Sequence, residues 1–267
     1  MKQQSRLGTI PGISYVQKTA RNRGWPYVVA WLHRITGLML VLYVFLHILT
    51  LSGLSDPVGF EQKMQWFQKL IPLFFDWFLA IPVIFHSLNG GRLILYELFG
   101  NRLDQPVLRG VMVGSGLYLL MLAVIMIMGD QSVSPFLFWV YFFLASILCG
   151  YLVTLRLKRS GATLLWKMQR VSGTFLFLMV PAHMLFMHLD PVIGRDAQLI
   201  LTRLQSPFIK LVDLLLVVSV LYHGGYGVIG VCRDYLSFRG AQLALLVLIT
   251  TLFFGFGLIG VKLLFLV

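Results

Sequence analysis

The stretch Val28–Gly53 reads VVAWLHRITGLMLVLYVFLHILTLSG. It is long enough and apolar enough to cross a bilayer, which takes about 20 residues of helix. It nevertheless carries two histidines, His33 and His47, and an arginine, Arg34. Six more segments of the same kind follow, at approximately 71–97, 110–128, 136–155, 170–189, 208–232 and 241–265. Backbone polar groups in lipid must be satisfied within their own segment, so each is expected to be a helix. Apolar residues make up 58% of the chain and charged residues 12%, about half the charged fraction of a soluble domain. That leaves no room for a sizeable soluble domain. The expected fold is an all-α integral membrane protein with seven transmembrane helices. Pro82 and Pro181 are expected to kink the second and fifth helices, because proline removes a backbone donor, and Pro72 falls at the start of the second.

The formal charge of +12 argues for a nucleic-acid partner only if the cations are clustered. Here they sit in the short connections between apolar segments, where they are a topology signal, and no nucleic acid is expected. With the N-terminus inside, the inner connections collect 16 of the 22 Lys and Arg residues and the outer ones the other six. The positive-inside rule therefore predicts a cytoplasmic N-terminus and an external C-terminus. Residues 1–27 lack the short apolar core and cleavage site of a signal peptide and read as a retained cytoplasmic segment. Cys149 and Cys232 both lie in apolar segments, and no C-x-x-C-H is present. A covalent haem attachment of that type and a structural disulfide are therefore not expected.

The chain repeats itself. His33-Arg34-Ile35-Thr36-Gly37 opens the first helix, and Gln169-Arg170-Val171-Ser172-Gly173 opens the fifth; His47 and His183 each follow fourteen residues after the first residue of these motifs. The second helix has His86, Gly90 and Glu97, and the sixth has His223, Gly227 and Asp234 at the same offsets. Such periodicity predicts two three-helix units. The expected organisation is a cytoplasmic segment 1–27, a first repeat 28–129, a connecting helix and basic loop 130–165, and a second repeat 166–267. The connecting helix makes the two repeats parallel, so equivalent residues lie at equal depth.

Ionisable residues inside a membrane are costly and mark function. At about 1.5 Å of rise per residue, His47 and His183 lie near the outer ends of their helices. His86 and His223 lie in the inner half. Two depth-matched pairs, each with one member per repeat, suit the two axial imidazoles of a b-type haem, which must come from different helices. The expected iron ligands are His86 and His223 for an inner haem, and His47 and His183 for an outer one. Two haems are expected, with a single-haem form as the variant. Gly90 and Gly227 suit the close approach of a flat porphyrin, or simply of another helix.

These residues resemble the membrane anchors of succinate dehydrogenase and fumarate reductase. His86, Gly90, Arg92 and Glu97 resemble the H-x-x-x-G-x-R…D motif of the larger anchor subunit. His33-Arg34-Ile35-Thr36-Gly37 resembles its H-R-x-[ST]-G signature. His223, Gly227, Asp234 and Tyr235 resemble the H-x-x-x-G…D-Y motif of the smaller one. The chain thus looks like both anchors fused. The resemblance implies that His86 and His223 ligate the inner haem. It implies a quinone pocket near the inner face at Arg34 and Tyr235, with Asp234 and His33 beside them, and His33, Arg34 and Arg170 near the haem propionates. Ala30 stands where the family has a serine that contacts quinone, and Glu97 replaces the motif's aspartate. Chemistry agrees with these roles: cations pair with propionates, and a hydroxyl or guanidinium can donate to a quinone carbonyl gaining electrons.

The expected function is a haem b-containing anchor of succinate:quinone oxidoreductase or quinol:fumarate reductase, in a prokaryotic plasma membrane. It would pass electrons between an iron–sulfur subunit and menaquinone or ubiquinone, with dicarboxylate chemistry on that subunit's flavoprotein partner. No Gly-rich nucleotide loop or cluster-binding cysteine set occurs in this chain. Glu61 and Asp76 are candidates for proton handling near an outer quinone site, and His188, near Asp190, is a weaker one. The alternatives are a dihaem anchor of another quinone-linked dehydrogenase, or a haem-free transporter using the histidines as a proton relay.

Overall fold

The computed structural model describes residues 23–70, 73–100, 104–128, 135–188 and 196–265. Among these the fold is all-α, with nine α-helices and one 3₁₀ turn. They are α1 (Trp25–Ser52), α2 (Pro57–Leu70), α3 (Leu73–Phe99), α4 (Asp104–Met128), α5 (Pro135–Leu157), α6 (Leu164–His188), α7 (Ala197–Leu204), α8 (Pro207–Tyr235) and α9 (Arg239–Leu264). The 3₁₀ turn Gly53–Ser55 follows α1.

Five stretches of the described residues are long and apolar enough to cross a membrane. They lie in α1 with the turn after it, α3, α5, α8 and α9. This is a multi-pass membrane protein. The other two expected spans correspond to α4 and α6, each 25 residues long. Helices begin several residues before the apolar runs at the inner ends: α1 at Trp25, α4 at Asp104 and α6 at Leu164. A helix does not stop where hydrocarbon does, because its polar first turn can be solvated. Pro82 lies inside α3 and Pro181 inside α6.

Apolar side chains point outward as well as inward. Leu42 on α1 and Leu117 on α4 are 61% and 63% exposed, as expected where the surrounding solvent is lipid. At the centre, α1 packs on α3, α3 on α6, α6 on α8, and α8 on α1. These pairings close a ring of four helices, which makes α1/α6 and α3/α8 its two diagonals. α4 packs on α3, α5 on α6, and α9 on both α8 and α1. Small contacts permit the close packing: an added Cβ at Gly91 would stand 3.2 Å from Phe177, and at Gly225 3.3 Å from Phe253.

The connections expected to lie outside hold two short helices, α2 and α7. Glu61, read as a loop charge, sits in α2. Both short helices start on an aspartate cap: Asp56 Oδ1 accepts from Gly59 N at 3.2 Å, and Asp196 Oδ1 accepts from Leu199 N at 2.9 Å. Between them Leu54, Phe60, Ala197, Ile200, Leu204 and Leu264 form an apolar cluster over the outer end of the bundle. Residues 1–22, Pro72, Asp190 and 129–134 lie outside the described residues, as do the side chains of Asp76 in α3 and His188 in α6.

Candidate functional site

The two diagonals carry the histidines. His86 on α3 and His223 on α8 bring their ring centres to 6.2 Å, with planes 85° apart. His47 on α1 and His183 on α6 do the same at the outer end, at 6.2 Å and 90°. A metal–imidazole nitrogen bond is about 2.0 Å and the ring centre lies about 1.1 Å further on, so trans imidazoles on one metal stand about 6.2 Å apart centre to centre. Both pairs fit an iron held between them. Among the described residues no group of three or more His, Cys, Asp or Glu side chains could hold a metal by itself. Two trans imidazoles suffice when a macrocycle supplies the other ligands.

Each inner histidine is fixed in the same way. His86 Nδ1 lies 3.1 Å from the His33 carbonyl oxygen, and His223 Nδ1 lies 3.3 Å from that of Gln169. A carbonyl only accepts, so Nδ1 donates and carries the proton. That leaves Nε2 as the nitrogen available to a metal, and it orients the ring. Thr36 Oγ1, 3.3 Å from His86 Nδ1, is a second acceptor. Each ring also presses on a glycine one turn beyond that carbonyl. A Cβ at Gly37 would stand 2.9 Å from His86 Cε1, and one at Gly173 would stand 2.9 Å from His223 Cε1.

These are not the glycines singled out for close approach in the sequence. A Cβ at Gly90 would be 3.7 Å from His33 Cε1, and one at Gly227 meets nothing within 4 Å. His33 itself stacks flat on His86, with centres 3.9 Å apart and planes 6° apart. At the outer pair, Tyr43 stacks on His47 at 5.6 Å and Trp139 lies 6.4 Å from His183.

The inner ends of the four helices are joined by two crossed ion pairs. Arg34 Nη2 on α1 donates to Asp234 Oδ2 on α8 at 2.5 Å, while Nη1 donates to the Tyr235 hydroxyl at 3.3 Å. Arg170 on α6 grips Glu97 on α3 through two bonds of 2.7 and 2.6 Å, with its guanidinium 4.3 Å from the Trp166 ring centre. The first cluster is open, with Tyr235 58% exposed. The second is more enclosed, at 21% and 29% side-chain exposure. Buried Arg92 donates to Asn89 Oδ1 at 3.0 Å, and Arg92 and Arg170 lie within electrostatic reach of His33.

The structure thus brings together Arg34, Asp234 and Tyr235, and separately His33, His86 and His223. One further residue is Asp213, half buried on α8 and electrostatically coupled to Arg203 of α7. Its signal was in the sequence, as a lone carboxylate within an apolar run.

Residues 23–127 and 152–259 match the family model of the succinate dehydrogenase/fumarate reductase transmembrane subunit. The chain belongs to that family. This succinate dehydrogenase/fumarate reductase transmembrane subunit is also similar to the succinate dehydrogenase 2 membrane subunit SdhC of Mycobacterium tuberculosis (strain ATCC 25618 / H37Rv). The two are 28% identical over 109 residues, which is 40% of this chain and 80% of that protein. No solved structure matches it. Haem, quinone and electron transport are typical of the family, whose members serve enzyme complexes with the dicarboxylate chemistry on other subunits. Membership favours neither the other dehydrogenase anchors nor a transporter.

Proposed function

We propose that the chain is the haem b- and quinone-binding anchor of a complex II, passing electrons between an iron–sulfur subunit and membrane quinone. The observation that carries this is the His86–His223 pair at 6.2 Å, with both Nδ1 atoms committed to carbonyls. Haem supplies one-electron transfer through low-dielectric protein. The protein supplies the ligands, their orientation and the charge around them. His47 and His183 would hold the outer haem in the same way. With α4 and α6 included the chain has seven spans and its termini lie on opposite sides; the positive-inside distribution of Lys and Arg supports a cytoplasmic N-terminus and an external C-terminus, in a prokaryotic plasma membrane.

The repeat reading, 28–129 against 166–267 with residues 130–165 as connection, rests on matched sequence offsets. It is supported by matched contacts: Gly37 under His86 and Gly173 under His223, and Arg34 to Asp234 and Arg170 to Glu97. On this reading the chain combines two anchors in one polypeptide. Basic residues at the inner ends offer docking for the iron–sulfur subunit, which in turn carries the flavoprotein.

Quinone binds at the open inner cluster. The Tyr235 hydroxyl and the Arg34 guanidinium are donors for a quinone oxygen gaining charge. Asp234 holds Arg34 in place and His33 lies one residue away from it in the chain. His33, Arg34 and Arg170 would supply donors and positive charge for the haem carboxylates, and Gly90 and Gly227 would leave room for the macrocycle.

Purified complex tests the proposal. Pyridine-haemochrome absorbance, haem per chain, and co-purification with a succinate-oxidising flavoprotein are expected. A preparation made with haem available that lacks a Soret band would overturn it.

A further inference from the structure

Three polar side chains at this site hold buried atoms with no hydrogen-bond partner among the described residues: Asn89 Nδ2 on α3, His33 Nδ1 on α1 and Gln169 Oε1 on α6. Gln169 is only 8% exposed, and an unsatisfied buried amide is costly. His33 and Gln169 occupy equivalent positions on α1 and α6. Each carbonyl anchors one inner histidine, each is followed by an arginine in a crossed ion pair, and each lies four residues before the glycine that its histidine presses on.

The diagonals decide what these side chains face. His86 and His223 stand on α3 and α8, so a macrocycle perpendicular to the line joining them lies along the other diagonal. Its edges then point at α1 and α6. A haem carries two carboxylates on one edge, and the inner end of the bundle is where Arg34, Arg92 and Arg170 gather. One carboxylate would then reach α1, at His33, and the other α6, at the depth of the carbonyl that fixes His223.

We propose that the Gln169 side chain donates to the haem carboxylate on the α6 side of the inner site, as the counterpart of His33 on α1. A half-turn of the amide presents NH₂ where Oε1 now lies, and Arg170, the next residue, backs the anion. This inference rests on the haem reading above and adds a residue to it.

The test uses the full chain in its complex, in a His183→Ala background so that only the inner haem is read. Haem transfer to excess apomyoglobin and the midpoint potential are measured for Gln169→Leu, Gln169→Glu and Gln169→His. Gln169→Leu is expected to lose haem about tenfold faster, the size of a hydrogen bond to a charged group, and to lower the potential. Gln169→Glu sets a carboxylate against a carboxylate and lowers the potential further, while Gln169→His stays close to the parent. If Gln169→Leu leaves both quantities unchanged and raises thermal stability, Gln169 is only an orphaned amide and the proposal fails. Should Gln169→Leu not accumulate, equal potentials in the Glu and His variants overturn it. A parent chain without haem ends the underlying reading instead.

Discussion

Arg34 and Asp234 lie 200 residues apart in the chain, yet their side chains meet at 2.5 Å where the C-terminal end of α8 packs on α1. Arg170 and Glu97 make the complementary crossing, from α6 to α3. Each arginine follows the residue whose carbonyl orients an inner histidine. Ligand orientation and the charges joining the helices are therefore set by the same turn of α1 and of α6. The two crossings differ in openness, and on the function proposed above the open one takes quinone while the enclosed one only clamps α6 to α3.

Arg34→Ala and Tyr235→Phe are expected to slow quinone reduction by about tenfold or more while sparing thermal stability, since exposed ion pairs contribute little. Succinate-driven reduction of a soluble quinone checks this. Unchanged rates in both variants would remove the quinone pocket from this end of α8.

Glu97→Ala leaves the half-buried Arg170 without its two bonds. It is expected to cost about 1–3 kcal/mol of stability, read as a lower melting temperature of the complex. Quinone reduction per folded complex should change little. A large selective loss of turnover would show instead that this clamp works as a second reactive site.

His223→Ala is expected to remove the inner haem and His183→Ala the outer one, each halving haem per chain. His188→Ala should remove neither. If His183→Ala left the haem content intact, the α1/α6 pairing would be wrong.

Gly37→Ala and Gly173→Ala each drive a methyl to within 2.9 Å of a ligand ring. Overpacking of this kind costs about 1–3 kcal/mol, and here it displaces a ligand. Weakened inner haem binding is expected from both. Gly227→Ala, where the added carbon meets nothing, should bind haem with less change than either.

The ring planes of the two histidine pairs stand 85° and 90° apart. Perpendicular imidazoles leave two iron d orbitals nearly equal in energy, so both ferric haems should give strongly axial low-spin EPR signals. A rhombic signal of the parallel-ring type from the inner haem would mean that the carbonyl bonds at His86 and His223 Nδ1 do not hold those rings.

The sequence by itself determined the helical membrane class, because hydropathy is a local property and about 20 apolar residues leave the backbone no other way to satisfy itself. It also picked out His47, His86, His183 and His223, since a polar ring in lipid stands out, and equal offsets put them at equal depths. The aspartate caps at Asp56 and Asp196 are visible in the sequence too, as Asp56-Pro57 shows, but the helices they start are too short and too polar to stand out beside the long apolar runs. Only the tertiary structure decided which helices face across the bundle. It alone showed that Gly37 and Gly173 make room for the inner rings, and that Arg34 and Arg170 reach acids of the other half of the chain. Those contacts join residues 49 to 200 positions apart, and nothing in a local pattern states which distant faces will meet.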